Sequence, residues 1–202
     1  MNESGRQACI ADHLRQHIDL ARLVLERLTP AIEHAADLLI NALTSGHKIM
    51  LCGNGGSAAD AQHIAAELAG RYQIADRRAL PAIALTTDSS VMTSVGNDFG
   101  FDRIFARQVE GLGQPGDVLI GISTSGGSRN VIAAVEQARR QGLETIGLLG
   151  RSGGELLALV DSAIVVPSDS TAHIQEMHIT IGHLLCALIE NATVSDRSAS
   201  KT

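Results

Sequence analysis

GDVLIGISTSGGSRNVIAA, residues 116–134, decides the fold. Its first part, DVLIGIS (117–123), is apolar without alternation, as in a strand buried on both faces. STSGGS follows at once, and then RNVIAAVEQARRQG repeats its apolar positions at helical spacing. Strand, tight turn and helix in that order make half of a βαβ unit. The turn also has a chemistry. Ser123, Thr124, Ser125 and Ser128 supply hydroxyls, and the glycines let backbone N–H groups face one point. The helix start adds positive partial charge, so the loop suits an anion, most simply a phosphate monoester. The competing reading is a plain strand-to-helix turn with Ser128 as the N-cap. The lysine of a nucleoside triphosphatase P-loop is missing.

The same alternation extends both ways. KIMLCG (48–53), PAIALTT (81–87), ETIGLLG (144–150) and SAIVVPS (162–168) read as further strands. Helices are expected from Ser57 to about Gly70, over SSVMTSVGN and FDRIFARQVEGLG, briefly over GELLALV, and over TAHIQEMHITIGHLLCALIENA (171–192). This pattern predicts an α/β fold, a five-stranded parallel sheet covered on both faces. Ligands in such sheets bind beyond the carboxyl ends of the strands, where loops 53–57, 86–90, 123–128 and 150–154 would collect.

Before the first strand, ADHLRQHIDLARLVLERL carries a broad apolar stripe from Leu14 and Ile18 to Leu28. Pro30 suits the first turn of a second helix, AIEHAADLLINALTSG, so residues 1–47 read as a helical hairpin. The width of the stripe suggests packing against another subunit as well as its own domain. Residues 48–192 form the core, and 193–202, ending SDRSASKT, read as a frayed tail.

Composition narrows the function. The 202 residues carry a net charge of −6, with no basic run, one Tyr, three Phe and no Trp. Neither backbone binding nor base stacking on nucleic acid fits that. Three cysteines without a C-x-x-C pair favour a reducing, cytoplasmic setting over a disulfide framework. No signal core is visible, and no uninterrupted apolar run of membrane length.

The loop after the first strand, CGNGGSAAD (52–60), has two readings. Gly53, Gly55 and Ala58 match G-x-G-x-x-A, a dinucleotide fingerprint, with Asp88 as a candidate ribose partner. Against it stand the second anion loop and the helix that follows, which places His63 and Glu67 on one face. That pair is either a polar stripe or part of a metal or acid–base site. The final helix carries Gln175, His178 and His183 among apolar neighbours. Each needs a partner, and imidazole, carboxylate and amide oxygen are reasonable ligands for zinc.

Taken together, CGNGGSAADAQHIAAELAGRY, SVGNDFGFDRIFARQVEGLG, GDVLIGISTSGGSRNVIAA, GLLGRSGGEL and HIQEMHITIGHLLCALIE resemble the sugar isomerase (SIS) domain family. The closest resemblance is to its bacterial phosphoheptose isomerases. It implies a three-layer, flavodoxin-like sandwich and a homotetramer with active sites at subunit interfaces. It implies a sugar-phosphate isomerase that converts sedoheptulose 7-phosphate to D-glycero-D-manno-heptose 7-phosphate, opening nucleotide-activated heptose synthesis. It further implies one zinc ion per subunit, with His63, Glu67, Gln175 and His183 as ligands. Glu67 and His183 would be catalytic, and Ser123, Thr124, Ser125 and Ser128 would hold the phosphate. Asn54, Gly55, Gly56, Ser57, Asn97, Asp98, Glu67 and Gln175 would line the sugar site, with Arg71 in support. A base that also binds metal is weakened, so the two roles of Glu67 compete. The alternative within the family is a non-enzymatic tetramer that binds the replication initiator DnaA. The presence of both Glu67 and His183 disfavours it, since such relatives lack that pair.

Overall fold

The computed structural model describes residues 2–199. Five parallel strands, β1 (Ile49–Gly53), β2 (Ala82–Ala84), β3 (Val118–Ser123), β4 (Glu144–Gly150) and β5 (Ser162–Val166), pair in the order 2-1-3-4-5. This is the flavodoxin-like order. The register sets Leu51 beside Ile120, and Ile120 beside Ile146. Every residue of β1 and β3 is buried, as their unbroken apolar runs require.

Alternation along the strands divides the core in two. Ile49, Leu51, Ile120, Leu148 and Ile164 face helices α1 (Glu3–Thr44), α2 (Gly56–Ala69) and α6 (Thr171–Ala199). Met50, Leu119 and Leu149 face α4 (Ala106–Leu112) and α5 (Arg129–Arg140), packing on Phe105, Val109, Val131 and Val135. Helix α3 (Ser89–Phe99) adds Met92 and Val95 to that second layer. Two sequence expectations shorten: β2 covers only 82–84, and the segment after β4 is a 3-10 turn, Glu155–Ala158.

The expected N-terminal hairpin is not formed. Residues 3–44 make one continuous helix with Pro30 inside it. Buried Leu20, Val24, Ile32, Ala35, Leu39 and Leu43 keep helical spacing across the proline, and α1 lies along β5 and α6. Packing of that stripe outweighs the proline penalty. Glu26, whose carbonyl lacks a donor because Pro30 has no N–H, is exposed, so water can satisfy it. The expected tail is also corrected in part, because α6 runs on to Ala199, while residues 200–202 lie outside the described residues. The same helix revises the membrane reading. Thr171–Val194 is long and apolar enough to cross a bilayer, yet its Ile174, Met177, Ile181 and Leu185 lie in the core beneath the sheet.

Replacing Pro30 by Ala distinguishes a through-helix from a hairpin. A proline in a helix interior costs about 3 kcal/mol, and Ala gives back roughly 1 through the looser unfolded chain. The expected gain is therefore about 2 kcal/mol, or roughly 4–8 °C in Tm, by calorimetry. A hairpin with Pro30 at its second N-terminus would lose stability instead.

Candidate active site

β1 and β3 are neighbours, but their following helices leave to opposite faces of the sheet, which opens a crevice at their carboxyl ends. Asn54, after β1, and Asn130, at the start of α5, close its floor with a reciprocal amide pair. Asn54 Nδ2 donates to Asn130 Oδ1 at 2.9 Å, and Asn130 Nδ2 donates to Asn54 Oδ1 at 2.7 Å. Asn54 is thus occupied in holding two loops together, and Asn130 is a positioning residue that the sequence did not single out.

The anion loop divides its labour. Ser123 is buried; its Oγ accepts the Gly126 N–H and lies 2.9 Å from Ser128 Oγ. Ser128 occupies the N-cap position of α5 without a side-chain cap bond, so the capping reading is not what its hydroxyl does. Ser125 is exposed and Thr124 half-buried, at the open side of the loop. The loop adjoins the start of α6, since a Cβ on Gly150 would meet both Thr124 O and the Ile174 side chain. One residue on, Gln175 lays its amide over the N-terminal turn of α2, where a Cβ at Gly56 would fall 2.6 Å from Gln175 Nε2. Asp88 caps α3 by accepting the Val91 N–H, which occupies the candidate ribose partner.

Further along, α2 and α6 touch. A Cβ at Gly182 would fall 2.6 Å from Ile64 Cδ1, so any larger residue there must displace the Ile64 side chain. The flanking residues meet as a result. His183 Nε2 lies 3.0 Å from His63 Nε2, and His63 Nε2 lies 3.3 Å from Glu67 Oε1. Ligand atoms of His63, Glu67 and His183 all lie within 4.8 Å of one another. Gln175 stands two turns earlier on α6, about 12 Å by helix rise from His183, with its amide beside the start of α2. His178, between them, is a core histidine: fully buried, it donates from Nε2 to Leu149 O, and burial lowers its pKa.

Several supporting residues escaped the sequence reading. Tyr72, the sole tyrosine, stacks on His183 with ring centroids 5.5 Å apart. It is held there by Glu190, whose carboxylate accepts the N–H groups of Tyr72, Gln73 and Ile74 and pairs with buried Arg77. Burial alone would raise the Glu190 pKa; these bonds outweigh it and hold it at about 2. Asp60, one turn before His63, has an unpartnered buried Oδ2, and burial lifts its pKa to about 6 against the pull of His63. Arg71, Asn97 and Asp98 are exposed; Asn97 Nδ2 donates to Asp98 Oδ1 at 2.7 Å, and neither is drawn to the His63 group by a contact in this subunit.

Gly182→Ala tests the helix contact. Ala adds about 1 kcal/mol of helix propensity, and overpacking against Ile64 costs about 1–3 kcal/mol. The net cost in stability should be about 0–2 kcal/mol, while turnover falls at least roughly tenfold as His183 is pushed from His63, since small displacements cost catalysis heavily. Unchanged turnover would mean that the approach at Gly182 is not needed.

Comparison with known proteins finds relatives of the same fold. The SIS domain profile matches residues 12–150. The phosphoheptose isomerase of Nitratiruptor sp. is 58% identical over 183 residues, which cover 91% of this chain and 97% of that protein. Among solved structures, phosphoheptose isomerase GmhA from Neisseria gonorrhoeae superposes with a TM-score of 0.86 at 44% identity, covering 92% of this chain and 98% of that one. The enzyme from Francisella tularensis gives 0.89 at 40% identity, covering 95% and 100%. Identity on this scale, over almost the whole length of the chain, means that it belongs to the SIS domain family, in its phosphoheptose isomerase branch.

Proposed function

We propose that Glu67 and His183 carry the conversion of sedoheptulose 7-phosphate to D-glycero-D-manno-heptose 7-phosphate in this chain. The chain is an isomerase of the phosphoheptose type. The observation that supports these roles is the meeting of His63, Glu67 and His183 at the α2–α6 contact, about two helical turns from the anion loop. An extended seven-carbon phosphate has a length of that order. Its phosphate would sit at Thr124, Ser125 and the start of α5, and its C1–C2 end would reach the histidines.

The chemistry follows from that placement. Glu67 takes a proton from C1 of the ketose, and His183 gives a proton to the C2 carbonyl oxygen, leaving the enediol. His183 then removes the O1 proton while Glu67 returns a proton to C2, so the carbonyl now stands at C1 and the reaction balances without another reactant. Gln175 and the N–H groups at the start of α2 face the middle of the sugar, where their dipoles orient its hydroxyls. Binding energy from the phosphate, remote from the reacting carbons, positions them. Ser123 shapes the loop from inside and leaves phosphate contact to its neighbours.

The donor set suits a zinc ion: two imidazole nitrogens and a carboxylate oxygen converge. His63, Glu67 and His183 would hold it, with Gln175 the fourth donor that the family resemblance implies. Bound there, the metal would act as a Lewis acid toward a substrate oxygen. In this reading the chain works in the cytoplasm as a homotetramer, with Asn97, Asp98 and Arg71 serving sites at subunit interfaces. Exposed Ile10, Leu14, Ile18 and Leu25 on α1, apolar surface left outside the subunit's own core, support such an assembly.

NMR of the purified protein with sedoheptulose 7-phosphate in D₂O tests the reading. The expected outcome is an aldose heptose 7-phosphate with deuterium at C2, and a loss of about 10²–10⁴ in turnover for folded Glu67→Gln. Near-wild-type turnover in that variant would remove Glu67 as the base. Failure of the folded wild type to turn over, with and without zinc, would favour the DnaA-binding alternative.

A further inference from the structure

A second group of imidazoles lies away from the site just described. His13 and His17 stand four residues apart on α1, and His173 and Glu176 three apart on α6, each pair on one helical face. The two pairs face each other across the α1–α6 contact, with Glu176 at the centre. His13 Nε2 lies 3.0 Å from Glu176 Oε1, while His17 Nδ1 and His173 Nδ1 lie 2.8 and 2.9 Å from Oε2. The rings of His13 and His173 are 4.3 Å apart between centroids. Ligand atoms of His13, His173 and Glu176 all fall within 4.8 Å of one another, the same closeness as in the His63 group.

We propose that His13, His173 and Glu176, with His17 beside the same carboxylate, form a second divalent-metal site, for zinc or a similar borderline ion, which ties α1 to α6. Two imidazole nitrogens and one carboxylate oxygen converge, a donor set zinc takes readily, and His17 Nδ1 contacts the same carboxylate at 2.8 Å. With metal–ligand bonds of ~2.0–2.1 Å, tetrahedral ligands stand about 3.3 Å apart, and the nitrogen–oxygen separations here need only a few tenths of an ångström of opening. Histidines at i and i+4 on a helix are a recurrent chelating pair. His173 is nearly buried, with a side chain 6% exposed, so its ring is fixed by packing before any ion arrives. A cavity bounded by Gln16, Asp19, Ser168 and Ser170 opens beside His173 and gives the ion a path from solvent. The site is distinct from the His63 group. It joins α1 to α6 rather than α2 to α6, and Glu176 precedes His183 by seven residues, about 10 Å of helix. An ion here would stabilise the long α1 by mass action, because it binds the folded pairing of two segments far apart in sequence.

Metal stoichiometry of the full-length protein decides it. In a His63→Ala/His183→Ala background, cobalt(II) should bind at one equivalent per chain with a tetrahedral absorption band, and zinc should displace it and raise Tm. Adding His13→Gln/His17→Gln, or Glu176→Gln, should weaken cobalt binding at least tenfold in protein that keeps its helical circular dichroism. If the background variant fails to fold, stoichiometry of the otherwise wild-type chain serves: two ions expected, one after His13→Gln/His17→Gln. A single ion per chain that survives those substitutions would overturn the proposal. So would Glu176→Gln binding cobalt as tightly as its parent, which would mean a chance histidine chelate without the carboxylate.

Discussion

The contact between Gly182 and Ile64 governs this molecule. A parallel sheet places α2 and α6 on the same face, but most side chains would keep the helix axes too far apart for their polar residues to meet. Glycine at 182 removes that obstacle, with the ideal Cβ position only 2.6 Å from Ile64 Cδ1. His183 and His63 are the next residues along, and their imidazoles meet at 3.0 Å beside this contact. Glycine in a helix interior costs roughly 1 kcal/mol in propensity. The site accepts that cost in exchange for geometry.

Other parts of the fold serve the same end. Glu190, eight residues after Gly182 on α6, gathers three backbone N–H groups and Arg77 from the segment after α2. The segment is pinned, and Tyr72 is laid on the His183 ring. Since Glu190 has its pKa lowered from 4.5 to about 2, its contribution is complete above pH 4.5 and lost as pH falls through about 2. At the sheet's carboxyl edge, the Asn54–Asn130 pair performs the corresponding task for the loops after β1 and β3. Both anchors join segments that the chain separates widely.

That separation explains what the sequence made legible. Periodicity within single segments was enough for the central strands, for the strand-to-helix turn after β3, and for His63 and Glu67 on one face. Contacts between segments were not, because spacing along a chain says nothing about which faces meet. Gly182 and Glu190 passed unremarked within the final helix. Pro30 misled for a local reason: its preference for a first helical turn is real, but the apolar stripe running past it has the larger effect. Ser123 looked equivalent to its neighbours until burial distinguished it.

If His63 and His183 act as one unit across the helix contact, their losses cannot be independent. The direct test is a double-mutant cycle on kcat/KM for sedoheptulose 7-phosphate, using His63→Ala, His183→Ala and the pair together. The account predicts that the double variant is barely slower than the worse single variant, as for groups that act as a unit. Losses that multiply, in protein whose fold is intact, would mean that the two histidines work separately and that their meeting at Gly182 is incidental to catalysis.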